Sequence, residues 1–215
     1  MTAIWGPMGW MTLHSISLLY PEQATVNDKQ ILKTFMSAFI ESMTCQHCQQ
    51  HFRVIFENYI RAHPEWSNSR FDLFLFIARA HNTVNKRLEK PLKTTVQECL
   101  DSIITASQYT PLSQFRKKYI DYVVQRMAAE MSGDSMVKAG YGRELRRIND
   151  TYWNSKIATD TSTFDMNANV LEFINENSSS MRLMLGGSNN VSSVMSTDYI
   201  PKIGFRGGRL RLNAR

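Results

Sequence analysis

Apolar residues in the first half of this chain recur in steps of three and four, the spacing of one helix face, and that periodicity closes off most folds at once. Ile31, Leu32, Phe35, Phe39 and Met43 form one stripe; Phe52, Ile55, Phe56 and Ile60 form a second; Phe71, Phe74, Ile77, His81, Val84 and Leu88 form a third. No alternating run of Val, Ile or Thr is long enough for a convincing strand, so the chain reads as all-α. A first helix is expected from about Gly9 to Leu19, ended by Tyr20-Pro21, because proline disfavours helix at the residue before it. The second should begin after the capping residues Asn27 and Asp28, and the third near Thr44, running to His63-Pro64. A fourth stops at Lys90-Pro91 and a shorter fifth fits Thr95 to Ala106, which makes one small bundle with short connections.

Beyond Pro111 the pattern is a basic amphipathic helix through Leu112, Phe115, Tyr119, Tyr122, Val123 and Met127, then a second helical stretch around Tyr141 to Ile157. These would pack on the bundle or form a separate lobe. Residues 1–110, 111–175 and 176–215 therefore read as a core domain, a mainly helical extension and a tail. The tail is rich in Ser, Asn, Gly and Met, carries five basic and no acidic residues from Lys202 to Arg215, and is expected to be poorly ordered.

At 215 residues, 43% hydrophobic and 20% charged, the composition suits an ordinary globular protein and argues against collagen-like, disordered and membrane-spanning classes. The start Met1-Thr-Ala-Ile-Trp5 lacks a basic region followed by an apolar one, so neither a signal peptide nor a membrane anchor is expected. The net charge of +6 permits nucleic acid or anionic surfaces as partners without arguing for them. Three cysteines are too few for a disulfide-stapled secreted scaffold, so the chemistry must lie in a pair.

That pair is Cys45-Gln-His-Cys48 at a helix start. Cysteines at i and i+3 on a first turn can close a small disulfide, and the helix N-terminus with His47 and His51 would favour the reactive thiolate. Zinc is the rival use: Cys45, Cys48 and His51 with His47, His81 or Cys99 would make a ligand set, although all three first ligands come from one helix and no second C-x2-C exists. A thioredoxin-like context is missing, because no strand precedes the motif. A dithiol acting as an oxidase needs a cofactor that passes two electrons to O2, for which flavin is the natural choice. His81 and Asn85 share a helical face, with Asn82 beside them and Lys86 and Lys90 a turn further on, able to hydrogen-bond a heterocycle and neutralise phosphates. Trp5-Gly6-Pro7, Trp10 and His14 on the first helix could lie against a flat ring. Taken singly, each of these is equally at home in a core or at a solvated helix end.

In series, Trp5-Gly6-x3-Trp10-x2-Leu13-His14, then Cys45-x2-Cys48 with His51-Phe52, then His81-Asn82-x-Val84-Asn85-x2-Leu88-x-Lys90-Pro91 closely resembles the Erv/ALR family of FAD-linked sulfhydryl oxidases over residues 4–105. The resemblance implies a four-helix bundle plus a short fifth helix, FAD at its mouth and a homodimer. Cys48 would be the flavin-proximal cysteine and Cys45 the one exchanging with a protein dithiol, with O2 reduced to hydrogen peroxide. Trp5, Gly6, Pro7, Trp10, His14, His51, His81, Asn82, Val84, Asn85, Lys86, Leu88 and Lys90 would line the FAD site, with no metal.

Departures are also visible. No second CxxC exists, so a separate thiol protein would have to relay electrons; Thr95-Val-Gln-Glu-Cys-Leu100 lacks the aromatic expected after Lys-Pro, leaving Tyr109 or Phe115 to replace it. Cys99 reads as a buried free thiol, with intermolecular pairing as the alternative. A core without shuttle cysteines, followed by a cysteine-free extension, looks like the oxidases of large DNA viruses, which implies the host cytoplasm or the virion. There the basic tail would meet nucleic acid, an acidic partner or a membrane surface, or would simply be solvated. Two other readings stay open: a zinc-stabilised binding module and an inactive oxidase-like interaction protein.

Overall fold

A computed structural model describes residues 2–129, 133–158 and 160–176, and the basic tail expected over 176–215 lies outside them from residue 177 onward. The described residues form α1 (Thr2–Leu19), α2 (Val26–Glu41), α3 (Gln46–Ala62), α4 (Arg70–Arg87), α5 (Val96–Ser107), α6 (Leu112–Ala129), α7 (Gly133–Thr151) and a 3-10 turn (Trp153–Ser155). No strand occurs among them, only an isolated bridge between Thr95 and Asn169. The fold is all-α, with the bundle and short fifth helix where the periodicity puts them.

The helix starts are set by side-chain caps. Thr25, rather than Asn27 or Asp28, caps α2: its Oγ1 accepts the Asp28 N–H while the Asp28 carboxylate accepts the Thr25 N–H, which satisfies two amides at once. Ser69 and Thr95 cap α4 and α5 in the same single-sided way. Two boundaries differ from the sequence expectation. α1 begins at Thr2 instead of Gly9 and carries Pro7 inside it, near enough to the N-terminal end that one forgone backbone bond is tolerated. α7 begins at Gly133, well before Tyr141, and helix ends at Ser155, so residues 156–158 and 160–175 of the extension are not helical.

α1 is the axis of the molecule. Thr12 through Ser17 are all buried, so the helix meets protein on every side: α4 on one flank and α6 on another. α7 packs on α6 and on α2, so the extension docks on the bundle and shares its core instead of forming a separate lobe. Gly142 makes the close approach possible, since a Cβ there would stand 3.1 Å from Val124 Cγ2 and 3.2 Å from Val123 Cγ1. Tyr119 of α6 stacks on Phe39 of α2, and the fully buried Trp153 meets Phe35 and Tyr20. Arg116 of α6 is buried with them, donating to Ser15 on α1 and to Asn149 and Asn154 beyond α6.

Because the extension and the bundle share one core, chemical unfolding should run as a single transition. Trp153→Ala is expected to lower the unfolding free energy by about 3–5 kcal/mol, through lost burial plus a cavity. Tyr109→Ala, at a position 93% exposed, should change it by less than about 0.5 kcal/mol. Urea titrations followed by circular dichroism measure both.

Candidate active site

Cys45 is the N-cap of α3, and its Sγ accepts the Cys48 N–H at 3.3 Å. The two sulfurs are joined in a disulfide across 5.2 Å between Cα atoms, each half-buried against the core. When this bond opens, the unpaired amides of the first turn face the sulfurs and favour thiolate. His47 and His51 lie edge-to-face at 4.2 Å, but His51 is held below the ordinary histidine value by partial burial and by Arg87 and His47, against a raising pull from Glu176. The helix end, more than a histidine charge, therefore tunes the pair. The disulfide also removes the proposed zinc thiolates. Among the described residues no cluster of three His, Cys, Asp or Glu side chains is placed to hold a metal.

One turn beyond Cys48, on the same face of α3, Phe52 leads inward. Its ring meets Trp10 of α1 edge-on at 5.8 Å, and Trp10 stacks on His81 of α4 at 4.1 Å, 9° from parallel. His81 Nδ1 lies 3.1 Å from His14 Nε2. A path of contacting rings thus runs from Phe52, one turn past Cys48, to α4. Burial and neighbouring Lys90 push His81 down to about 4, and burial with His81 alongside holds His14 well below the ordinary value, so both rings are neutral at physiological pH.

The resemblance to FAD enzymes can be tested on these residues. His14 Nδ1 is buried beside His81 and has no hydrogen-bond partner among the described residues, a condition that costs about 1–3 kcal/mol and that a hydrogen-bonding ligand would relieve, whereas Trp5 lies across α1 against Phe39 and Tyr119. A Cβ built on Gly6 would meet nothing within 4 Å, so the backbone there borders open space. Neutral imidazoles, an indole and an open glycine suit a flat, hydrogen-bonding heterocycle, and the residues fit the group.

α4 presents the remaining residues in two directions. At its end, Asn85 accepts the Lys90 N–H at 2.9 Å and Lys86 accepts the Glu89 N–H, the paired closing bonds of a Schellman turn. Glu89 sits at φ 53, in the left-handed region where glycine is usual. This turn throws Leu88, Lys90 and Pro91 outward, all exposed, while Val84 packs half-buried on the main core. Asn82 is turned away from His81. Its Nδ2 donates to the carbonyls of Lys93 and Val170, and its Oδ1 accepts the Lys93 N–H, so its amide is committed to protein. Lys86 stands over the ring of Phe173 at 3.9 Å, and His51 bonds Glu176 at 3.3 Å. Pro7 is exposed and Trp5 is buried beside Gly9.

Neither Tyr109, exposed at the end of α5, nor Phe115 of α6, whose carbonyl faces Thr12 of α1, replaces the missing aromatic beside α4. The ring that the structure brings there is Phe173. Its signal in the sequence was the apolar group Val170, Leu171, Phe173 and Ile174, isolated in a polar stretch. Cys99 lies in a second apolar cluster with Phe74, Ala78, Val96 and Val170, and burial pushes its thiol up to about 11.

A family model described as the Erv1 / Alr family matches residues 7–104. The mitochondrial FAD-linked sulfhydryl oxidase ERV1 of Saccharomyces cerevisiae is 37% identical over 86 residues, which are 40% of this chain and 43% of that protein. The FAD-linked sulfhydryl oxidase ERV1 of Arabidopsis thaliana is 31% identical over 40% of this chain and 42% of its own length. The FAD-linked sulfhydryl oxidase of African swine fever virus is 31% identical over 88 residues, 41% of this chain and 71% of that protein. The chain thus spans less than half the length of the yeast and plant relatives. The crystal structure of the yeast Erv1 core is 34% identical and aligns with 43% of this chain and 75% of that one at a TM-score of 0.38.

The lowered histidine values carry a stability consequence with a definite sign. Between about pH 4 and 6.5 the unfolded chain binds protons that folded His81 and His14 refuse, so stability is fully present above 6.5 and is lost as the pH falls toward 4. In flavin-free protein the loss attributable to His81 should be on the order of 3 kcal/mol. Melting temperatures across this range should flatten in His81→Phe relative to the parent.

Proposed function

The chain belongs to the Erv1 / Alr family, and from that premise we propose that it is an FAD-dependent sulfhydryl oxidase that forms disulfides in protein dithiols. The observation that carries the reading is the disulfide at the start of α3, one helical turn before the ring series Phe52, Trp10 and the neutral His81–His14 pair with a buried nitrogen left open. In the proposed cycle a substrate thiolate attacks Cys45 Sγ and the Cys45–Cys48 bond breaks, with Cys48 leaving as a thiolate eased by the helix N-terminus. A second substrate thiolate then attacks the substrate sulfur of the mixed disulfide, releasing oxidised substrate and Cys45. FAD, when bound, supplies the two-electron acceptor for the reduced pair and hands the electrons to O2. The balance is two thiols and O2 to one disulfide and hydrogen peroxide.

The family resemblance assigns Cys48, one turn before Phe52 in α3, to the cofactor side and Cys45, the N-cap, to exchange with substrate. Trp10, His14 and His81 would bind the flavin, with Trp5, Gly6, Pro7, Val84, Asn85 and Leu88 around it, and Lys86 and Lys90 would meet its phosphates. Asn82 and His51 would act by holding their neighbours. The chemistry falls within residues 1–110, with 111–175 as the helical extension and the basic tail behind it.

The partner is a protein dithiol, met either directly or through a separate thiol protein that relays its electrons to Cys45. No described helix is long and apolar enough to cross a membrane. A viral setting, host cytoplasm or virion, is supported by the swine fever virus relative. A homodimer would need a face other than the flanks of α1 and α2, which α6 and α7 cover.

Purified protein should be yellow and should consume O2 with a dithiol. Cys48→Ser should keep the flavin, lose turnover and trap a mixed disulfide at Cys45. Colourless protein that cannot be reconstituted with FAD would sink the oxidase reading.

A further inference from the structure

After the 3-10 turn residues 160–176 run without helix, and the last part of them lies as a strap in the groove between α3 and α4. The strap is bonded along its length. The Val170 N–H donates to the Thr94 carbonyl at 3.0 Å, while the Val170 carbonyl accepts from Asn82 at 2.8 Å. Glu172 pairs with Arg79 at 2.8 Å and His63 at 3.0 Å, and the Ile174 N–H donates to Thr83 Oγ1 at 3.0 Å. Glu176 closes the run against His51 at 3.3 Å and Arg87 at 3.4 Å. From Glu172 beside His63 to Glu176 beside His51, the strap travels from the C-terminal end of α3 back toward the redox disulfide.

Val170 and Ile174 are buried, so the strap is a packed part of the fold and not a surface trace. Its contacts fall on residues that the oxidase reading gives to the cofactor side. Val170 holds Asn82 and the Lys93–Thr94 connector that follows Lys90-Pro91; Phe173 holds Lys86; Glu176 holds His51. A lysine ammonium over a ring, and a carboxylate shared between an imidazole and a guanidinium, each restrict side chains that would otherwise sample several rotamers.

We propose, resting on that oxidase reading, that the strap of residues 168–176 keeps the cofactor site in shape, with Val170, Phe173 and Glu176 as positioning residues for Asn82, Lys86 and His51. The C-terminal extension is then part of the flavin-binding unit, although every residue in the redox motifs lies before it.

The test is the rate at which full-length, flavin-loaded protein releases FAD, followed by the rise in free-flavin fluorescence. Phe173→Ala and Glu176→Gln should each speed release about threefold to tenfold, as expected for losing one restrained contact. Phe173→Tyr, which keeps the ring under Lys86, and Lys117→Ala, on the exposed face of α6, should stay within about twofold of the parent. A merely structural role would instead lower the melting temperature and leave the release rate unmoved. Flavin-loaded parent with Phe173→Ala and Glu176→Gln releasing at its rate overturns the strap proposal alone; parent protein that takes up no flavin overturns the oxidase reading and the strap with it.

Discussion

The described residues are arranged around one helix whose middle has no solvent side. α1 is buried from Thr12 to Ser17, yet four of those six residues are polar, and a buried polar group without a partner is expensive. Each is answered by a different neighbour. Thr12 donates back to the Met8 carbonyl, Ser17 to the His14 carbonyl, His14 meets His81 of α4, and Ser15 accepts from Arg116 of α6. The same requirement therefore builds the histidine pair of the active site on one flank and fastens the extension on the other.

Arg116 shows how the second of these is sustained. A guanidinium taken from water into a core is costly, and burial pushes it down to about 10, still protonated at neutral pH. No carboxylate touches it directly; Asn149 and Asn154 accept its N–H groups and both donate to Asp150. The counter-charge stands one layer out, across two amides. α6, α7 and the turn after them are thus tied to α1 by a polar network as well as by Tyr119, Val123, Leu145 and Trp153.

The helices were legible because their period is local, and so were the stops at His63 and Lys90-Pro91 and the cysteine pair at a helix start, while the caps of α2 and α3 fell to Thr25 and Cys45 instead of Asn27 or Asp28 and Thr44. What escaped was long-range. Arg116 lies on the stripe of Tyr119, Val123 and Met127, but in a basic helix an arginine at a core position looks like one more solvated charge. Asn82 and Asn85 are three residues apart and read as one ligand set, whereas the Asn82 side chain turns to the Lys93 connector and its amide is committed there. The strap has neither helical period nor strand partner. Only three-dimensional contact reveals it, since its bonds reach 88 and 91 positions back along the chain, to Asn82 and Thr83.

Burial sets Cys99 apart from the other two sulfurs of the chain. With its thiol pushed up to about 11 beneath Phe74 and Val170, about one molecule in ten thousand carries the anion at neutral pH, and the sulfur is sheltered as well. The third thiol is thereby withheld from exchange with the Cys45–Cys48 pair, in its own molecule and in any other copy, because burial denies it both ionisation and access.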